Sequence, residues 1–148
     1  MNIHRNEPAA QVAPPRGDEA RWAAVVERDA AILRCRAAAA ACRDEGILLL
    51  ARTDARVSRS FDEALARIQA FVAEGADILF LDSPQSEDEM RAGIAACNGR
   101  PALAVTSPAG KHFMPGNAEL ERIGIRIVVY PQDILAASVQ AIRAALGG

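Results

Sequence analysis

Four short apolar runs, each followed by a stretch suited to a helix, recur along this chain at intervals of roughly 25–30 residues, and that alternation restricts the folds open to it. The runs are Ile47 to Ala51, Asp77 to Asp82, Pro101 to Val105 and Ile125 to Tyr130. Short apolar segments without polar alternation suit strands covered on both faces, as parallel strands are when crossover helices pack against them. The expected fold class is therefore α/β, about four βα units around a parallel sheet. A long helix should precede them. From Asp18 to about Asp44 the residues are rich in Ala, Arg and Glu, with Trp22, Val25, Val26, Ile32 and Leu33 at helical spacing, and Gly46 ends the pattern.

The punctuation between the runs agrees with this reading. Ser60-Phe-Asp-Glu63 and Ser86-Glu-Asp-Glu89 are capping boxes, in which the serine hydroxyl meets a free amide of a new helix. Helices should follow to about Glu74, where Gly75 stops the first, and to about Cys97, where Asn98-Gly99 turns the chain. Thr106 to Gly116 reads as a polar loop containing Lys111 and His112, Asn117 as the cap of a short helix, and Pro131 as the opening of the last helix. Met1 to Asp18 contains Pro8, Pro14, Pro15 and Gly17, and is expected to be a flexible leader. The folded unit is then 19–148.

Charge appears where the strands finish. The first run passes into Arg52-Thr-Asp54 and the second ends in Asp82. Ligands in parallel α/β folds are bound at the carboxyl ends of the strands. Arg52 and Asp54 thus stand where an anionic small molecule would be held, and a guanidinium offers a planar fork that meets two oxygens of an oxyanion while staying charged. The alternative is that Arg52 pairs with Asp54 or Asp82 and closes the end of the sheet. Thr106 and Ser107 could offer hydroxyls to a ligand, although hydroxyls after a strand commonly form turns. His112 lacks an acidic partner at triad or ligand spacing.

Composition removes several classes of function. The chain has 148 residues, a formal charge of −2 and 4% aromatic residues, so it carries neither a basic footprint nor a stacking surface for nucleic acid. No apolar stretch reaches the ~18 residues of a membrane span, and the start lacks a signal peptide's hydrophobic segment. The expectation is a cytoplasmic protein with no nucleic-acid or membrane partner. Cys35, Cys42 and Cys97 are odd in number and lie in alanine-rich or apolar surroundings, which reads as buried reduced thiols without disulfide or zinc site.

Ala51-Arg-Thr-Asp-Ala55, Asp62-Glu-Ala64, Gly75-Ala-Asp77, Ser86-Glu-Asp-Glu-Met90 and Val129-Tyr-Pro131, in that order and spacing, resemble the isocitrate lyase and phosphoenolpyruvate mutase superfamily. The likeness is to the methylisocitrate lyase and phosphonopyruvate-type branch and covers roughly Arg34 to Leu146. It implies a (β/α)8 TIM barrel of which this chain matches strands five to eight. A complete barrel takes about 250 residues. In the family the other half carries the aspartates that hold magnesium and a loop whose cysteine is the general acid/base. No segment here matches either, and Cys35, in Leu-Arg-Cys-Arg, lacks the neighbours of that cysteine. The expectation is no catalytic residue, no metal ligand and no magnesium bound by this chain alone.

The resemblance also assigns site positions. Arg52 matches the arginine that grips a substrate carboxylate or phosphonate. Asp82 stands where the family has a glutamate that meets substrate or a metal-bound water, and its side chain is shorter by one methylene. Leu103-Ala-Val105 departs from a family run ending in asparagine, and Val105 cannot hydrogen-bond a substrate. Two functions follow as expectations. The first is a truncated family protein without catalysis of its own that keeps an anion clamp for a small carboxylate or oxo-acid. The second is a magnesium-dependent C–C lyase of a small 2-hydroxy or 2-oxo dicarboxylate once another chain completes the barrel. A half barrel exposes sheet edges and an inner face, expected to include Leu48, Leu50, Leu79 and Leu81, so a homo-oligomer or a missing-half partner is also expected.

Overall fold

The computed structural model describes residues 24–106 and 113–147. The element order is α1 (Arg28–Glu45), β1 (Leu50–Thr53), α2 (Ala55–Ser58), α3 (Phe61–Ala73), β2 (Ile78–Leu81), α4 (Glu87–Ala96), β3 (Leu103–Val105), α5 (Asn117–Ile123), β4 (Ile127–Val129) and α6 (Asp133–Ala145). β1 pairs in parallel with β2, and β3 with β4. A parallel bridge between Leu79 and Ala102, with the Leu79 amide donating to the Pro101 carbonyl at 3.0 Å, joins the two pairs. The expected α/β class and its four parallel strands are both present.

Both serine caps form. Ser60 Oγ accepts from the Glu63 amide at 3.1 Å, and Ser86 Oγ from the Glu89 amide at 3.2 Å. The expected cap at Asn117 does not form: Gly116 takes the cap position. The Asn117 side chain instead accepts from the Tyr130 hydroxyl at 2.5 Å, so it ties α5 to the end of β4.

α1 starts later than the sequence pattern suggests. Residues 24–27 are not helical, because Arg67 of α3 donates to the Val26 carbonyl at 2.6 Å and holds that segment extended against α3. Trp22 and the proposed leader lie outside the described residues. The buried stripe of α1 is Ala31, Cys35, Ala39 and Cys42, all small, which lets the helix lie close to Ile68 and Phe71 of α3 in one core.

The first strand is shifted by three residues from the apolar run that announced it. After Gly46 the Ile47 amide returns to the Cys42 carbonyl, and Ile47 and Leu48 are left exposed. Pairing begins only at Leu50, so the strand carries Arg52 and Thr53 within its ladder. Register then decides the faces, since side chains alternate along a strand. Ala51 lies opposite Leu79 and Thr53 opposite Leu81, whereas Leu50 lies opposite Ile78 and Arg52 opposite Phe80. Leu79 has no exposure and Leu81 packs on Gly93 of α4, so both lie under the helices. This corrects the expectation that they line the inner face. That face is formed instead by Leu48, Leu50, Arg52, Ile78 and Phe80.

α6 stands apart. None of its residues is buried, and Ile134, Leu135 and Ile142 are largely exposed. Among the described residues no helix is long and apolar enough to cross a membrane.

Candidate functional site

Arg52 reaches the inner face near the carboxyl end of β1, and the loops leaving β1 and β2 bring Asp54 and Asp82 to it. Its Nη2 lies 2.5 Å from Asp54 Oδ1 and 3.2 Å from Asp82 Oδ1, while Nε donates to both Asp54 oxygens at 3.1 and 3.2 Å. The guanidinium carbon sits 4.9 Å from the centre of the Phe80 ring, the residue facing it across the strands. Three of the residues singled out from the sequence therefore meet in one cluster, and the pairing reading of Arg52 describes its geometry here.

Ser83 belongs to the same cluster and was not among the sequence candidates. It is buried, its Oγ donates to Asp82 Oδ2 at 2.7 Å, and its backbone is left-handed, with φ of 58°. A non-glycine residue in that region is uncommon and marks a constrained turn. The sequence signal was Asp82-Ser-Pro84, a short hydroxyl and a proline immediately after a strand-ending carboxylate.

The electrostatics are unequal across the cluster. Burial pushes the Asp82 carboxyl above its ordinary value, against the pull of Arg52 and Ser83, and nearby Asp54 adds to the rise. Burial works against the charge on Arg52, but the hydrogen bond to Asp54 and the two carboxylate charges leave its pKa raised on balance. A pocket opens beside the cluster, lined by Val26, Arg34, Arg52, Asp54, Arg67 and Phe71 among others. Arg67 in that wall is committed to Glu63 at 2.7 Å and to the Val26 carbonyl.

Thr106 is elsewhere in its bonding: its hydroxyl lies 3.3 Å from the Val129 carbonyl and 3.1 Å from Asp133 Oδ2, linking the end of β3 to β4 and α6. Ser107, Lys111 and His112 lie outside the described residues. All three cysteines are free and buried. Burial raises the thiols of Cys35 and Cys97 to about 11, so thiolate, the reactive form, is scarce at neutral pH.

The magnesium implied by the sequence resemblance finds no nest in this cluster. Asp54 and Asp82 converge on a guanidinium, which already fills the position of their cationic partner. What the arrangement can do is hold and exchange charge: one cation, two carboxylates and a hydroxyl beside an open pocket.

Known proteins give the same outline. Residues 16–147 match the family model described as phosphoenolpyruvate phosphomutase. The 2,3-dimethylmalate lyase of Eubacterium barkeri is 33% identical over 117 residues, covering 79% of this chain and 40% of that protein. The 2-methylisocitrate lyase of Aeropyrum pernix is 32% identical over 131 residues, covering 88% and 42%. The solved structure of oxaloacetate acetylhydrolase in complex with the product oxalate superposes with a TM-score of 0.77 at 34% identity, covering 83% of this chain and 43% of that one. The chain thus spans about two fifths of the length of the relatives it matches. With a family model covering nearly its whole length and relatives at this identity, the chain belongs to the phosphoenolpyruvate mutase and isocitrate lyase superfamily.

Proposed function

We propose that this chain supplies the strand-five-to-eight part of a family (β/α)8 barrel, grips the carboxylate of a small oxo-acid through Arg52, and has no catalysis of its own. The observation that carries the reading is the position of Arg52, inward-facing near the carboxyl end of a parallel strand, stacked on Phe80 and opening to a pocket. Solved relatives support the ligand class, since oxaloacetate acetylhydrolase is seen with the product oxalate and with the inhibitor 3,3-difluorooxalacetate. Turnover in this family's manner needs a stabiliser for the developing enolate charge and a placed proton donor. Cys35 and Cys97 are buried thiols, and the Asp54 and Asp82 carboxylates are tied to Arg52.

One guanidinium grip gives millimolar affinity, about 4 kcal/mol. Calorimetric titration with pyruvate tests this: millimolar binding abolished by Arg52→Met supports it. Micromolar binding of one oxo-acid, or binding indifferent to Arg52, overturns it.

A second reading is favoured by α6, none of whose residues is buried among the described residues, and by the exposed Leu48 and Val129. In it, a second copy or a separate polypeptide covers these residues and completes a magnesium-dependent C–C lyase. Light scattering, with a dicarboxylate panel assayed in the presence of Mg2+, tests it. A monomer at high concentration with a flat assay argues against it, and turnover by this chain alone contradicts the first reading.

A further inference from the structure

The grip described above is not an uncommitted cation. Arg52 is met by Asp54 at 2.5 Å and by Asp82 at 3.2 Å, so the three side chains together carry one net negative charge when both carboxyls are ionised. Asp54 is nearly buried, and Asp82 is only 21% exposed at its side chain. An oxyanion arriving at the guanidinium would add a further negative charge beside two carboxylates in partly desolvated surroundings, where like charges at contact distance are costly.

We infer that an oxyanion binds at Arg52 together with uptake of one proton by the Asp54 and Asp82 pair, so that the site exchanges a carboxylate's charge for that of the ligand. This rests on the anion-grip reading. The geometry names Asp82 as the proton's seat. Asp54 is engaged by both Nε and Nη2, whereas Asp82 meets Arg52 through a single contact and is held from its other oxygen by Ser83. Protonated, Asp82 can surrender its place on Nη2 to the ligand while Asp54 keeps the guanidinium aligned.

The other charged groups nearby do not substitute for it. Glu89 at the start of α4 is tied to Arg56 of α2 at 2.8 Å and to the Gln85 amide at 2.9 Å. Arg67 of α3 is committed to Glu63 and to a backbone carbonyl, and Arg34 of α1 lines the pocket from the solvent side. Asp82 also borders a second pocket, separate from the one Arg52 lines, whose wall is Ser83 together with apolar residues such as Leu103, Val105 and Met114. Burial among these groups agrees with a carboxyl that already holds its proton more firmly than a solvated aspartate.

The test is calorimetry of the 148-residue protein with pyruvate, a monoanion across the range used, from about pH 5.5 to about pH 8. Each point is repeated in two buffers of different ionisation enthalpy to count protons. The expected result is uptake approaching one proton per pyruvate, with affinity falling by up to about tenfold per pH unit above the pKa of the free pair. Asp82→Asn should bind at least about tenfold more tightly than the parent at pH 8 and take up no proton. Binding with no proton uptake and flat affinity overturns the linkage and leaves the grip standing. No pyruvate heat at any pH, in the parent and in a folded Asp82→Asn, overturns the grip itself. Should the variant not fold, the proton count on the parent alone still decides.

Discussion

Replacing Arg52 by Met keeps the aliphatic stem over Phe80 and removes only the charge, leaving Asp54 and Asp82 facing each other. Breaking a buried pair from one side costs roughly 3–5 kcal/mol. Arg52 is 31% exposed at its side chain and Asp82 21%, so water reaches the cluster and the loss should sit lower, at about 2–3 kcal/mol at pH 7. The penalty has a definite pH dependence. Asp82 is already raised by burial and by nearby Asp54, and without the pull of the guanidinium it titrates higher still in the folded protein than in the unfolded chain. The folded state then binds more protons, and stability relative to the parent falls as pH rises from the unfolded carboxyl range. At about pH 4.5 the carboxyls accept protons and most of the penalty disappears. Urea unfolding followed by far-ultraviolet circular dichroism at the two pH values measures this. At pH 7 the melting temperature should drop by about 5–10 °C. Adding Asp82→Asn should restore part of the stability lost at pH 7. Equal loss at both pH values, or a larger loss at the acid one, would show that the three side chains are not electrostatically coupled as described.

Three further outcomes follow from the packing. Glu63 is held at about 2, chiefly by its hydrogen bond from Arg28 and also by Arg67, so its stabilisation is complete above the ordinary carboxylate range and is lost as pH falls from about 4.5 towards 2. Glu63→Gln should cost about 1–2 kcal/mol near neutrality and flatten the acid limb of the stability profile, because it leaves Arg67, 3% exposed, without its anion. Ser86→Ala should cost about 1 kcal/mol in urea titrations through loss of the α4 cap. Cys35 and Cys97 should react with iodoacetamide at pH 8 at least about 100-fold more slowly in the folded protein than in urea, which mass spectrometry resolves residue by residue.

Local chemistry was legible in the sequence where a rule acts within four residues. Ser60 and Ser86 capped their helices as read, and the four parallel strands followed from apolar runs bounded by turn residues. Faces were harder. Leu79 and Leu81 sit in an apolar run whose two faces look alike, and only pairing with β1 shows that they point to the helices. The start of α1 was misplaced for a similar reason, since the tie from Arg67 to Val26 spans 41 positions and overrides a helical pattern. Asn117 illustrates a competition between partners, its side chain taken by Tyr130 of the following strand end. At the site, Arg52, Asp54 and Asp82 could be named because strand ends carry ligands in parallel folds. Their mutual pairing, and the part played by Ser83, depend on side-chain distances that spacing does not encode. Thr106 was a candidate by chemistry, and its contacts turned out to serve β4 and α6.

The most direct test of the account is a heteronuclear NMR titration of the protein with pyruvate at about pH 5.5. The account predicts its largest shifts at the Arg52 side-chain Nε–H and at the amides of Thr53, Asp54, Asp82 and Ser83, all lost in Arg52→Met. Shifts centred on the exposed α1 arginines, or unchanged by that substitution, would contradict it.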